Sequence, residues 1–265
     1  MRSTLILAIL LFAPFALAQD WAKKLMEGSP RHQEWMELKN GSRTVKAFVV
    51  YPEIKEKATV VVLIHEIMGL TDWVMLTADL LAKEGFIVIA PDFLSEMGPN
   101  KGRTDSFADV GKAREAISGL SPDQITGDLN ATCDYGKGLP ASNGKLVVGG
   151  FCWGGTQTFR FATQRADLKA SLVFYGSPPT DASLLSKIAS PVYGFYGGND
   201  ARINATIPDT EKAMKAAGKT YEPVTYEGAG HGFMRAGQMP EAQEANAKGR
   251  SAAWERILKI LKGIS

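Results

Sequence analysis

The sequence predicts an α/β fold in which a mainly parallel sheet is flanked by helices, with an antiparallel hairpin at its N-terminal edge. Three observations lead there. The runs "ATVVVLIH", "FIVIAPD" and "KLVVGGF" have strand length and little alternation, the pattern of strands buried on both faces. Stretches with helical spacing lie between them, and strands alternating with helices mean parallel strands joined by crossovers. Asn40-Gly41 separates two further strand-like runs, a strong hairpin signal.

The elements follow in order. "MRSTLILAILLFAPFALAQD" opens with one positive charge, an apolar stretch broken by Pro14, and then Ala16-Leu17-Ala18 before Gln19. The small-x-small ending reads as a signal-peptidase site, and the apolar part is short for a membrane span. Residues 1–18 are therefore expected to be a signal peptide, and the mature chain to be exported, periplasmic or secreted, with no membrane span. "WAKKLMEGSP" is a weakly amphipathic lead, and "QEWMELKNGSRTVKAFVVYP" the hairpin. "ATVVVLIH" is a strand, a helix follows from about Asp72 to Glu84, and "FIVIAPD" is a strand ended by Pro91.

A long polar insertion leads to helices around Ser106–Ser118 and Pro122–Tyr135. "KLVVGGF" is a strand with the helix "GGTQTFRFATQR" directly after it. "ASLVFYG" and "SPVYGFYGG" are strands around a short helix near Ala182–Ile188. "IPDTEKAMKAAG" is helical, "TYEPVTYEGAG" is the last strand, and Glu241–Leu261 is a closing amphipathic helix. No linker marks a boundary, so residues 19–265 are expected to form one domain. With 265 residues, 45% of them hydrophobic, the chain can bury a full-sized core.

A net charge of +2 without a basic run argues against a nucleic-acid partner. No metal-ligand cluster, phosphate-binding glycine loop or cofactor motif is present, so neither metal nor cofactor is expected. The two cysteines, Cys133 and Cys152, differ in setting. Ile125, Leu129 and Cys133 recur at helical spacing, which makes Cys133 a small apolar residue on a buried face. A disulfide between the two is the alternative, since an exported protein permits one.

Cys152 sits in "GGFCWGG", after a strand and before a helix, in the frame G-x-C-x-G. This is the nucleophile-elbow pattern with sulfur in place of a hydroxyl. So tight a turn strains the nucleophile's backbone and leaves no room for side chains two positions either side, hence Gly150 and Gly154. It also sets the sulfur at a helix N-terminus, which favours a thiolate, and frees the N–H of Trp153 for an oxyanion.

A nucleophilic thiol needs a base, and the chain has three histidines. His231, in the glycine-rich "EGAGHGFM" after the last strand, is the candidate. His65 ends a strand and reads as structural, its ring packed under the next loop, while His32 is expected to be exposed. Asp200, at a strand end between Cys152 and His231, is the orienting carboxylate, because nucleophile, acid, histidine is the order this architecture uses. Asp181 is the runner-up, with helix capping as its other reading.

Together "HEIMGL", "GGFCWGG", "YGGND" and "GHGFMR" resemble the dienelactone hydrolase family, in the family's order, over about Trp35 to Leu261. The resemblance implies an α/β-hydrolase fold and a triad of Cys152, Asp200 and His231. It implies that Glu66 holds the resting thiol and moves aside for substrate, and that Ile67 supplies the second oxyanion N–H. Arg235 stands where the family holds a substrate carboxylate. The family's other carboxylate-binding arginine falls at Glu96 here, and Arg103, in the insertion, is a candidate to replace it.

The expected function is hydrolysis of a small-molecule lactone or activated carboxylic ester through an acyl-enzyme, by a chain acting as a monomer. A non-catalytic ligand-binding hydrolase fold is the alternative, since function lives in sites rather than folds. A thiol redox role is a third, and the lack of C-x-x-C argues against it.

Overall fold

Eight strands form one sheet in the order β1-β2-β4-β3-β5-β6-β7-β8. The computed structural model describes residues 19–265, so the signal-peptide reading of residues 1–18 lies outside the described residues. β1 (Gln33–Asn40) and β2 (Arg43–Val50) are the hairpin. Asn40 pairs with Arg43 across a turn in which Gly41 takes φ +59°, a left-handed conformation suited to glycine. β2 runs antiparallel to β4 (Ile87–Asp92), and from β4 through β3 (Ala58–Ile64), β5 (Ser142–Phe151), β6 (Leu168–Phe174), β7 (Val192–Gly197) and β8 (Tyr221–Tyr226) every pairing is parallel. β4 continues through Pro91 to Asp92, one residue past the expected stop, because Pro91 pairs with Ala47 of the antiparallel neighbour.

β3 is buried at every position, and its side chains divide by the period of two. Val61 and Leu63 face the layer of α2 (Asp72–Lys83) and the closing helix α9 (Glu244–Ile264), with Trp73, Val74, Ile257 and Leu261. Val60, Val62 and Ile64 face α3 (Val110–Ser118) and α4 (Pro122–Gly138), with Ile117, Ile125 and Leu129. Each such side chain contributes roughly 1.5–3 kcal/mol on burial. The parallel sheet is thus covered on both faces, as its uninterrupted apolar strands require.

The N-terminal segment is tied down by polar contacts. After α1 (Asp20–Glu27), Arg31 donates bidentately to the buried Asp79 of α2, which also accepts from Ser29 and Gln33. At the hairpin turn, Asn40 and Arg43 both donate to the fully buried carboxylate of Asp128 on α4, at 2.8 and 3.1 Å. A buried carboxylate is stable only when paired in this way.

The insertion after β4 forms short 3-10 turns, Pro99–Lys101 and Thr104–Ser106, before α3. It is pinned by Asp92, whose carboxylate accepts from the backbone N–H groups of Leu94 and Thr104 and from the Thr104 hydroxyl. Burial pushes the Asp92 carboxyl up to about 6. Among the described residues, no helix is long and apolar enough to cross a membrane.

Candidate active site

The carboxyl ends of β3, β5, β7 and β8 converge, and each delivers one part of the site. β5 ends at Phe151, Cys152 follows, and α5 (Trp153–Ala162) begins immediately. Cys152 takes φ +55° and ψ −112°, a conformation that costs of order 1–3 kcal/mol in a non-glycine residue. Its N–H donates to the Phe174 carbonyl at 3.0 Å, which locks the turn onto β6. The flanking glycines are required by contact. A Cβ on Gly150 would overlap the Gly154 carbonyl, and one on Gly154 would overlap the carbonyls of Ile64 and His65.

His231 lies in the loop after β8, followed by Gly232 at φ +74° and the short helix α8 (Phe233–Ala236). The neighbouring Gly230 N–H is anchored by the side chain of Asn246 on α9. The imidazole Nε2 stands 3.1 Å from the Cys152 sulfur, and Nδ1–H donates to Asp200 Oδ2 at 2.5 Å. Asp200 follows β7, is 6% exposed, and its other oxygen caps the short helix α6 (Ala201–Asn204). The hydrogen bond to Cys152, then that to Asp200, raise the His231 pKa to about 9 against partial burial, which opposes the charged ring. Residues 152, 200 and 231 are thus brought into one hydrogen-bonded line.

Asp181 goes elsewhere: it is exposed and caps the 3-10 helix Ala182–Lys187. His32 is largely exposed beside Glu34. His65 is fully buried, stacked on the Trp153 ring with an interplanar angle of 17° and edge-on to Phe93. Burial lowers its pKa to about 4, so the ring is neutral. The N–H groups of Ile67 and Trp153 donate to no protein acceptor among the described residues, which leaves both open to a ligand oxygen.

One expectation from the resemblance is revised. Glu66 does not hold the sulfur here, because its carboxylate, 4% exposed, accepts from Arg235 Nε at 2.8 Å. A buried carboxylate beside a guanidinium takes the full positive charge in preference to a weak thiol donor. Arg235 is consequently engaged by the chain's own carboxylate while its side chain stays 30% exposed.

Arg103 is engaged by partners of its own. Its guanidinium lies over the Trp35 ring at 3.4 Å and is held by Asp105, on the wall of a cavity of about 440 Å³ that neither Cys152 nor His231 lines. Glu96, at φ +64°, accepts from the Thr44 N–H and takes no part either.

One residue escaped the sequence reading. Tyr175, at the end of β6, takes φ +42°, meets the His231 ring edge-on at 5.1 Å between centroids, and buries a hydroxyl with no partner among the described residues. Its signal was the position of "FYG" at a strand end, where this architecture collects its functional groups. No group of three or more histidine, cysteine or acidic side chains among the described residues is placed to hold a metal ion.

A mostly parallel eight-stranded sheet and a strained strand-to-helix turn define the class: an α/β-hydrolase fold with cysteine at the elbow. The dienelactone hydrolase family model matches residues 45–265, and the chain belongs to that family of hydrolases. A Salmonella typhimurium protein described as a "putative carboxymethylenebutenolidase" is 30% identical over 226 residues, 80% of each chain. A Saccharolobus solfataricus protein of the same description is 30% identical over 252 residues, covering 83% of this chain and 95% of its own. A crystal structure of a "putative dienelactone hydrolase" from Klebsiella pneumoniae superposes with a TM-score of 0.76 at 24% identity, over 88% of this chain and 99% of that one, a likeness of fold.

Proposed function

We propose that the chain hydrolyses lactones or activated carboxylic esters, with Cys152 as nucleophile, His231 as base and Asp200 as its orienting partner. The observation that carries this reading is the line from sulfur through imidazole to carboxylate, 3.1 and 2.5 Å, on a strained elbow.

In the first half-reaction, sulfur attacks the carbonyl carbon while its proton is held on Nε2 of His231, whose raised pKa keeps it there. The carbonyl oxygen becomes an oxyanion on the N–H groups of Ile67 and Trp153, where each donor is worth roughly 10²–10³ in rate. Collapse breaks the acyl C–O bond, and the imidazolium returns its proton to the departing oxygen, which in a lactone stays tethered to the acyl group. In the second half, Nε2 takes a proton from water as the water oxygen attacks the thioester. The second collapse expels the Cys152 thiolate, which recovers the proton from His231. Asp200 holds the imidazole with Nε2 turned to sulfur and stabilises the imidazolium.

Arg235 is the cation available to a substrate carboxylate, through a planar fork suited to bidentate contact. An incoming carboxylate competes with Glu66 for it, which couples binding to release of the Glu66 side chain. Support for the substrate class comes from membership of the family and from the relatives described as "putative carboxymethylenebutenolidase".

The test is turnover of short activated acyl esters and lactones by Cys152→Ala beside the wild type. A loss of at least about 10³-fold in kcat is expected. Near-wild-type turnover by the variant would refute the assignment.

A further inference from the structure

We propose that His65 is a positioning residue for the oxyanion site, fixing one donor through a hydrogen bond and backing the other with its ring. The inference rests on the acyl-transfer reading of the Cys152 site and extends it to a group that touches neither sulfur nor substrate.

The tautomer of His65 follows from its neighbours. The Phe93 N–H points at Nε2 at 3.3 Å, and a backbone N–H can only donate, so Nε2 is the acceptor. The ring is neutral, and its single proton is therefore on Nδ1, which donates to the Glu66 carbonyl at 2.8 Å. That carbonyl belongs to the peptide bond whose nitrogen is Ile67. In a trans peptide the C=O and N–H point in opposite directions from one plane. Holding the Glu66 oxygen against the buried imidazole thus fixes the direction in which the Ile67 N–H points. The Gly69 N–H is a second donor to the same oxygen at 3.1 Å, so the peptide is held from two sides.

The other donor is the Trp153 N–H, at the start of α5. The Trp153 ring stacks on the imidazole of His65 with centroids 5.5 Å apart, and Phe93 meets both rings edge-on. One imidazole therefore links the β3 loop and the elbow, and sets the spacing of two N–H groups that come from distant parts of the chain. Such a link favours preorganisation: donors already aimed at the oxyanion need no reorientation in the transition state.

His65→Leu removes the donor and keeps apolar bulk, and His65→Asn returns an N–H near the position of Nδ1. For His65→Leu, kcat on an activated ester should fall about 10- to 100-fold with KM little changed, since Gly69 still holds part of the geometry. Alkylation of Cys152 by iodoacetamide forms no carbonyl oxyanion and should stay within about twofold of wild type. His65→Asn should recover much of the loss.

Unchanged kcat in His65→Leu, or acyl transfer and alkylation falling together, would overturn the proposal. If His65→Leu does not fold, nitrogen-15 NMR of the wild-type ring decides. A proton on Nδ1, coupled through the hydrogen bond to the Glu66 carbonyl, supports the inference, and a proton on Nε2 overturns it. Full activity in Cys152→Ala would instead sink the underlying acyl-transfer reading. An inactive Cys152→Ala beside a fully active His65→Leu would sink this inference alone.

Discussion

Arg235 donates from Nε to the buried carboxylate of Glu66 at 2.8 Å, and the Cys152 sulfur is left facing His231 at 3.1 Å. The Arg235 guanidinium is near enough to the sulfur to interact with it electrostatically, and its charge is already compensated by Glu66.

The sign of that compensation is measurable. Glu66→Gln leaves the Arg235 charge unopposed, which favours a thiolate nearby; Arg235→Gln leaves Glu66 unopposed and disfavours it. Iodoacetamide should alkylate Cys152 faster than wild type in the first variant and slower in the second. An electrostatic change of roughly 1 kcal/mol gives about fivefold in each direction. Arg235→Gln should also lose about 1–3 kcal/mol of stability in urea, because it strands a buried carboxylate. Equal alkylation rates in all three proteins would show that the pair does not act on the sulfur.

Stability should depend on pH through His231. Its folded pKa is raised from 6.5 to about 9, so protonation favours the folded state. That contribution is fully present below pH 6.5 and is lost as pH rises through about 9. Asp200→Asn removes one of the two raising hydrogen bonds and should shrink the decline and end it at lower pH. Urea midpoints across this range, compared between wild type and Asp200→Asn, provide the check; identical profiles would contradict it.

The two thiols should behave as different species. Both cysteines are free. Cys133 is fully buried among Ile125 and Leu129, and burial pushes its pKa up to about 12. A chromogenic disulfide reagent should therefore titrate one thiol in the native protein and two after denaturation, with the native one absent from Cys152→Ala. A count of zero after denaturation would indicate a bridge and contradict this arrangement.

What could be read in the residues themselves was whatever local chemistry dictates. The apolar runs became strands in the expected places, and the hairpin falls where Asn40-Gly41 marked it, with Gly41 and Ser42 as the turn residues and glycine at the first of them, where φ is positive. The elbow was legible because Gly150 and Gly154 have no tolerable substitute beside Cys152. Cys133 was legible as a core residue from its spacing along α4.

Pairings set by the tertiary fold were not legible. Glu66 and Arg235 are 169 positions apart, and nothing local announces that they share a proton-donating contact. The polar insertion between Asp92 and Val110 has no apolar period, so its 3-10 turns and its anchorage on Asp92 follow from buried hydrogen bonds alone. Arg103 looked free to serve a substrate until Trp35, on the edge strand, was found beneath it. The tautomer of His65 likewise needed the Phe93 N–H, 28 residues away.

The proposed covalent bond between sulfur and the acyl group can be trapped directly. Wild-type protein mixed with a slowly hydrolysed acyl ester and quenched in acid within the first turnover should carry the acyl mass on the peptide containing Cys152. Steady turnover with that peptide unmodified, or with the acyl group on another side chain, would contradict the account.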